Sequence, residues 1–476
     1  MRFAVQIAGV VLALVAGIAV AFYGYIQWTG ASVGLAGSGR RLVVEHVDSE
    51  DRMRRIEEDR MRVAADAHPT RHDLETAAGT MARPAATVED PGRENYWIDY
   101  RGPGRAGVYD QTPINTDWPP GGPPELWRQE VGGGYASMVV ADSLVFTIEQ
   151  RRDREVVAAY GLMDGKQVWE YSWKSRFSES MGGDGPRATP NWDDGNLYAL
   201  GANGDLVCLR ARDGTLLWNR NILKDARASN LTWGMAAAPL IVDDMLIALP
   251  GGRGRSVIAY DKLTGEIRWS ALDDKAGYVS PQVATLAGQR QLVIVSGTRV
   301  FGASLKDGSL LWSRDWKTSY DANCAQPLIV DENHVFLSSG YGHGATLLEV
   351  SSGDSGLTVK EVWFNRNMKN KFNPSVLVDG VVYGLDEGIL AAIDVRTGER
   401  LWKQGRYRYG QLIYASGHLI IVSEEGDLAL VRATPNEYRE LARFEAIPGK
   451  TWNVPAMADG MLLVRNQTEM VAYDLR

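Results

Sequence analysis

The chain is 476 residues long and 45% hydrophobic, with 51 glycines and a formal net charge of −8. That balance suits one large globular body, and with a pI near 5.5 it excludes a general nucleic-acid binder, whose surface has to be basic. The two cysteines, Cys208 and Cys324, stand far apart and are expected to be buried free thiols.

In chain order the first element is an apolar stretch from Phe3 to Ile26, in which Gln6 is the only strongly polar residue. At 1.5 Å per residue it is long enough for a bilayer core of ~30 Å, and Tyr23, Tyr25 and Trp28 follow where an aromatic belt would meet the interface. Residues 1–30 are therefore expected to form an uncleaved transmembrane signal anchor. Ala19-Val20-Ala21 offers a cleavage site for the rival reading, a signal peptide. Arg2 before the span and Arg40 and Arg41 after it leave the charge rule for orientation nearly silent.

Residues 31–94 read as a charged juxtamembrane stalk and linker. The segment EHVDSEDRMRRIEEDRMR mixes both signs among strong helix formers, with a ragged apolar stripe at Val47, Met53, Ile56 and Met61, and is expected to be a solvated or partly disordered stalk, with a coiled-coil contact as the alternative. From Thr76 to Glu94 the chain turns to Ala, Thr, Pro and Gly, a linker composition.

Residues 95–476 are organised by a repeat. A tryptophan returns behind an Asp-Gly or Thr-Gly turn in DGKQVW, DGTLLW, TGEIRW, DGSLLW and TGERLW, at Trp169, Trp218, Trp269, Trp312 and Trp402. Trp127 and Trp363 extend the series without the turn, and Phe444 is expected in the same place one repeat later. The spacing of about 40 to 50 residues is that of one four-stranded propeller blade. Asp-Gly and Thr-Gly between two alternating apolar runs are hairpin signals, so each turn joins two strands, and a large flat ring at one fixed place suits stacking on the neighbouring blade.

Upstream in each unit runs a second series, with Pro190, Pro239, Pro281, Pro327, Pro374 and Pro455 in equivalent places. Proline has no N–H for a ladder and belongs on an edge strand or at a strand start, as the innermost strand of a blade is. Runs at 137–142 and 411–416 fill the same place without proline, making eight inner strands. The last repeat ends at residue 476 with no W-strand of its own, and ELWRQEV at 125–131 is expected to supply it and close the ring. The fold expected is an all-β, eight-bladed β-propeller over 95–476, with a seven-bladed or open arrangement as the alternative.

Two stretches, AYDKLTGEIRW at 259–269 and AIDVRTGERLW at 392–402, fit the pattern AxDxxTGxxxW. In this the chain resembles the propellers built of pyrroloquinoline-quinone (PQQ) type repeats. The opening YWIDYRGPGRAGVYDQTPINTDWPPGGPPELW is similar to the start of a bacterial, membrane-anchored subgroup of that family. The resemblance implies the fold and an exported protein, with the propeller on the periplasmic side of the cytoplasmic membrane. It does not imply one activity, because the repeat serves both quinoprotein dehydrogenases and an outer-membrane assembly lipoprotein. The dehydrogenases of the family use an adjacent Cys-Cys pair, a calcium ion and an Asp base; here the cysteine pair is absent and the other features match no motif.

No haem, P-loop, zinc-protease or nucleophile-elbow motif occurs, so no catalytic residue and no metal ligand is expected. The candidates are for binding at the channel rim. Arg366, Lys369 and Lys371 precede the inner strand beginning near Asn373, Arg187 holds the corresponding place in another repeat, and Gln326 belongs to a rim series of mostly neutral residues. His343 lies among Gly340, Gly342 and Gly344, where backbone permits close approach. The function expected is a non-catalytic envelope scaffold that binds a protein or a small polar ligand without a cofactor. A PQQ-dependent oxidoreductase, with calcium, is the alternative.

Overall fold

The computed structural model describes residues 95–476 and, before them, residues 17–18, 20–21, 31–36, 41–47 and 49–66. Eight antiparallel sheets follow one another around a ring. Blade 1 occupies 139–174, blade 2 191–221, blade 3 240–271, blade 4 282–315, blade 5 328–365, blade 6 376–406 and blade 7 411–445. Blade 8 takes three strands from 456–474, and its fourth is Glu125–Glu130, paired antiparallel to Glu469–Asp474 with Ala472 opposite Trp127. The expected closure is therefore present, and the ring has eight blades.

Each outermost strand carries a β-bulge beside its tryptophan, as at Ala159/Tyr160 next to Trp169 and Ala259/Tyr260 next to Trp269. A bulge re-aims the neighbouring side chain, and here it sends the ring onto the following blade. Six indole N–H groups, those of Trp127, Trp169, Trp218, Trp269, Trp363 and Trp402, donate to a backbone carbonyl of the next blade at 2.8–3.2 Å. The turn glycine of that next blade lies under the ring. Gly265 has φ +71°, and a Cβ there would stand 2.8 Å from Trp218, so this place needs glycine both for its backbone and for the stack.

Two seams depart from the rule. Blade 5 replaces the tight turn by a long hairpin, Gly344–Gly353 and Gly356–Asn365, and Trp312 instead donates to Gln291 Oε1 of its own blade at 2.6 Å. In blade 7 the residue beside the bulge is Ala442. Phe444, two residues on and so on the same face, packs where Gly122 leaves room, which corrects its expected placement.

One end of the channel is closed by the segment 95–110. Its Trp97 and Ile98 carbonyls accept from Val140 and Trp192, and Val108–Tyr109 pairs in parallel with the inner strand of blade 7. Arg105 is 1% exposed; it donates to the carbonyls of Pro239 at 2.6 Å and Pro281 at 2.8 Å, and its Nε and Nη2 both donate to Asp99. Arg101 reaches Ser375 O across the ring at 2.8 Å. An inner edge that begins with proline shows carbonyls without N–H groups, and a guanidinium with five donors in a fixed fork suits it.

The expectation of a solvated stalk is corrected over Glu50–Asp66. This helix has Glu50 and Asp51 in its first turn, where the helix dipole favours acids, and it docks across the seam of blades 8 and 1. Val47, Met53 and Ile56 are buried there, while Met61 is exposed. Arg52 donates to the carbonyls of Val131, Gln467 and Thr468; Arg55 pairs with Glu130, Arg60 with Glu170, and Arg152 with Glu50 and Glu57. The ragged stripe is thus an interface. The apolar stretch Phe3–Ile26 lies, but for 17–18 and 20–21, outside the described residues; among the described residues no helix is long and apolar enough to cross a membrane.

Candidate ligand pocket at the open end of the channel

The loops that run from the outer strand of one blade to the inner strand of the next all reach the face opposite the closing segment. They surround a cavity of about 530 Å³ whose floor includes Tyr100, a residue of that segment. Pockets of this size hold small ligands.

The first ring of the wall is made by the residue before each inner-strand proline, or its equivalent. Six of these, Ser137, Thr189, Ser280, Gln326, Gln411 and Val454, line the cavity, whereas Ala238 and Asn373 do not. Much of their polarity stitches blades together. Ser137 N–H donates to Thr189 Oγ1 at 3.0 Å and its hydroxyl to Val454 O at 2.5 Å; Gln326 Nε2 donates to Ser280 O at 2.9 Å. Gln411 Nε2 donates to Phe372 O at 3.1 Å and Trp452 O at 3.0 Å, which leaves its buried Oε1 as an acceptor without a partner.

Two positions earlier, on the same side of an extended chain, stands a second ring. It holds four aromatic residues, Tyr135, Tyr278, Tyr409 and Trp452, and two cations, Arg187 and Lys371. Ala236 and Cys324 complete it. Arg187 leads into blade 2 and Lys371 into blade 6, four blades apart and so on opposite sides. Trp233, Tyr341 and Phe372 add further rings, with Phe372 4.6 Å and Tyr135 5.2 Å from Trp452.

Both cations sit over aromatic faces. The Arg187 guanidinium lies 4.6 Å from the Phe177 ring and 5.6 Å from that of Tyr135, and it donates to the carbonyls of Gly183 and Gly185. Burial lowers its pKa. Glu179 and Asp184 are near, but Glu179 accepts the N–H groups of Met181 and Gly182 and Asp184 pairs with Arg176, and neither comes within ion-pair distance of Arg187. Lys371 Nζ donates to Tyr409 Oη at 2.7 Å, 3.9 Å from that ring and 5.1 Å from Tyr341. Burial pushes the Tyr278 and Tyr341 hydroxyls and the Cys324 thiol up to about 12, so all three are neutral at physiological pH.

Of the residues singled out in the sequence, Arg187 and Gln326 line this cavity and Lys371 adjoins it. Asn373 is buried off it, with its Oδ1 accepting the Lys371 N–H. Lys369 turns away to the buried Asp386 at 3.2 Å. His343 packs edge-on against Trp316 at 4.4 Å, and burial lowers its pKa. The seven repeat tryptophans all belong to blade seams, outside the lining. Sequence reasoning missed the aromatic wall, although its place two residues before the rim is regular.

A family model described as outer membrane protein assembly factor BamB matches residues 123–234 and 152–404. No curated protein matches the chain by sequence. Among solved structures, BamB from Moraxella catarrhalis is similar with a TM-score of 0.54 at 14% identity, over 74% of this chain and 98% of that one. Quinohemoprotein alcohol dehydrogenase ADHIIG from Pseudomonas putida HK5 follows the chain with a TM-score of 0.56 at 13% identity, over 80% of each. The computationally designed Ika8 protein matches at 0.53 and 12%, over 73% and 99%. At these identities the likeness speaks to the fold, while the two family matches span more than half of the sequence: the chain belongs to the PQQ-like β-propeller family that this model describes.

Proposed function

We propose that this protein is a non-catalytic, extracytoplasmic propeller that binds a ligand or an envelope partner at the open end of its channel, anchored to the cytoplasmic membrane by the apolar stretch Phe3–Ile26. The observation that carries the reading is the one-ended channel: residues 95–110 stop one end, and the other opens into an aromatic pocket with an arginine that has no ion pair. The description of the matched family, assembly of outer membrane proteins, accords with a binding role in the envelope.

The oxidoreductase alternative asks for a calcium ion held by carboxylates and amides beside a tricarboxylate quinone. The lining has no Asp, Glu or His, and among the described residues no three of His, Cys, Asp and Glu come together as a metal site. These residues do not fit that group. The reading is tested by native mass spectrometry of the full chain purified from membranes. A small molecule or partner segment should stay bound to the wild type and be lost from Ala236→Trp, which fills the pocket from a half-exposed wall position. Identical spectra for the two would reject the pocket as the binding site.

A further inference from the structure

Resting on the pocket reading just given, we infer that the ligand is a carboxylate-bearing saccharide, a sugar acid or a short oligosaccharide containing one. Three features of the wall converge on it. Arg187 is held inside the cavity with two of its N–H groups on its own loop and no carboxylate in ion-pair distance, and Lys371, on the opposite side, has a tyrosine hydroxyl and two rings but no acid. A part-buried cation with no carboxylate in ion-pair distance is completed by an anion.

The second feature is the kind of apolar surface. A pocket for an acyl chain is walled by aliphatic side chains; here Val454 and Met181 are the only large aliphatic members, and the walls are Tyr135, Tyr278, Tyr341, Trp233 and Trp452. Such rings offer a flat face to the C–H side of a pyranose, and the tyrosines a hydroxyl at the edge, while the Trp452 indole N–H is already given to Glu424 Oε1 at 2.9 Å. The third is Gln411. Its amide nitrogen is fixed by two carbonyls, so the orphan Oε1 is an acceptor that calls for a donor. A carboxylate or a bare aromatic ring has no donor to give; a sugar hydroxyl has.

One ligand class meets all three demands together: a carboxylate toward the cations, ring C–H groups on the aromatics, a hydroxyl on Gln411. The neutral Ser and Thr hydroxyls and the Gln326 amide of the rim give the remaining hydroxyls polar neighbours.

The test titrates the full-length protein with a glucuronic-acid trisaccharide, its neutral methyl ester and PQQ, by calorimetry and by the fluorescence of Trp233 and Trp452. The acid should saturate and the ester should bind about tenfold weaker, the loss of one charge-assisted hydrogen bond. Arg187→Met should bring acid and ester together, and Arg187→Lys should restore part of the difference, which separates charge recognition from a damaged loop. Equal binding of acid and ester to the wild type overturns the inference, as does saturable binding of PQQ that Arg187→Met abolishes. If neither saccharide binds but a co-purified ligand is still excluded by Ala236→Trp, the ligand class is wrong and the pocket stands; if Ala236→Trp excludes nothing, both fall.

Discussion

The two ends of one channel are finished in opposite ways. At the closed end the chain supplies its own plug: Arg105 has Asp99 and three inner-strand carbonyls, while Arg101, with no carboxylate, bonds the carbonyls of Ala106, Ser375 and Leu412 and has its pKa lowered to about 10 by burial. At the open end Arg187 faces the cavity without an ion pair, and on the same face Glu155 is buried at the seam of blades 1 and 2, with Asp205 for its charged neighbour. Where the purpose is closure, both arginines are spent on carbonyls of the chain itself. At the open end Arg187 has only the carbonyls of Gly183 and Gly185, and it is on this difference that the proposed ligand site rests.

The largest expected effect comes from removing the closed end. Deleting residues 1–131 takes away the plug and the fourth strand of blade 8, so the product should aggregate and show no cooperative melting. Deleting only to residue 94 should leave a folded, soluble ring. Two truncations with the same melting temperature would contradict this closure. Next in size is Arg105→Met, which leaves Asp99 and the carbonyls of Ala238, Pro239 and Pro281 without their donor. It should cost ~3–5 kcal/mol, seen as a lower urea midpoint, whereas Arg187→Met at the open end should leave that midpoint within ~1 kcal/mol. Equal losses would erase the contrast between the ends.

Glu155 sharpens the comparison through pH. Burial, against the opposing hydrogen bond from the Ala202 N–H at 2.8 Å, raises its pKa to about 7. An unfolded glutamate titrates near ~4.3. Between these values the folded state keeps a proton that the unfolded chain has released. Stability from this group is therefore highest below the unfolded value, falls as pH rises toward 7, and is level above it, a total change of about 4 kcal/mol. Glu155→Gln should flatten that slope in denaturant midpoints between pH 4.5 and 8 and should exceed the wild type in stability at pH 8. An unchanged slope would mean that the acid is solvated.

How much of this was legible depended on whether the task of a residue repeats. Most seams are filled the same way, so Trp169, Trp218, Trp269 and Trp402 recur behind their turns and Trp127 and Trp363 without them, and the inner-strand prolines and closing strand followed from the same regularity. The pocket wall stands at an equally regular place, two residues before the rim, but its chemistry changes from blade to blade: tyrosine, arginine, alanine, cysteine, lysine, tryptophan. A ligand without eightfold symmetry demands such differences, and a search for recurring residue types passes over them. Arg187 and Lys371 were found by charge. Lys369 and His343 were drawn in by local composition alone, and long-range partners, Asp386 and Trp316, hold them elsewhere. The plug occurs once, so nothing in the repeat announced it.

The smallest expected effect concerns the helix Glu50–Asp66, which rests on the open face beside the channel. A helix of this length is marginal alone in water, so its order depends on docking. Arg52 is the centre of that contact, 5% exposed and bonded to three carbonyls of blade 8 and its closing strand. Its ion pairs at Arg55, Arg60 and Arg152 are largely solvated and contribute little each. Cutting the chain between 76 and 94 should therefore leave the helix fragment co-eluting with the ring. Arg52→Ala should release it at a cost of ~2 kcal/mol to docking, with hydrogen exchange at Met53 and Ile56 rising and the urea midpoint of the ring unmoved. A fragment that separates from the wild-type ring on cutting would show the helix to be a solvated stalk after all.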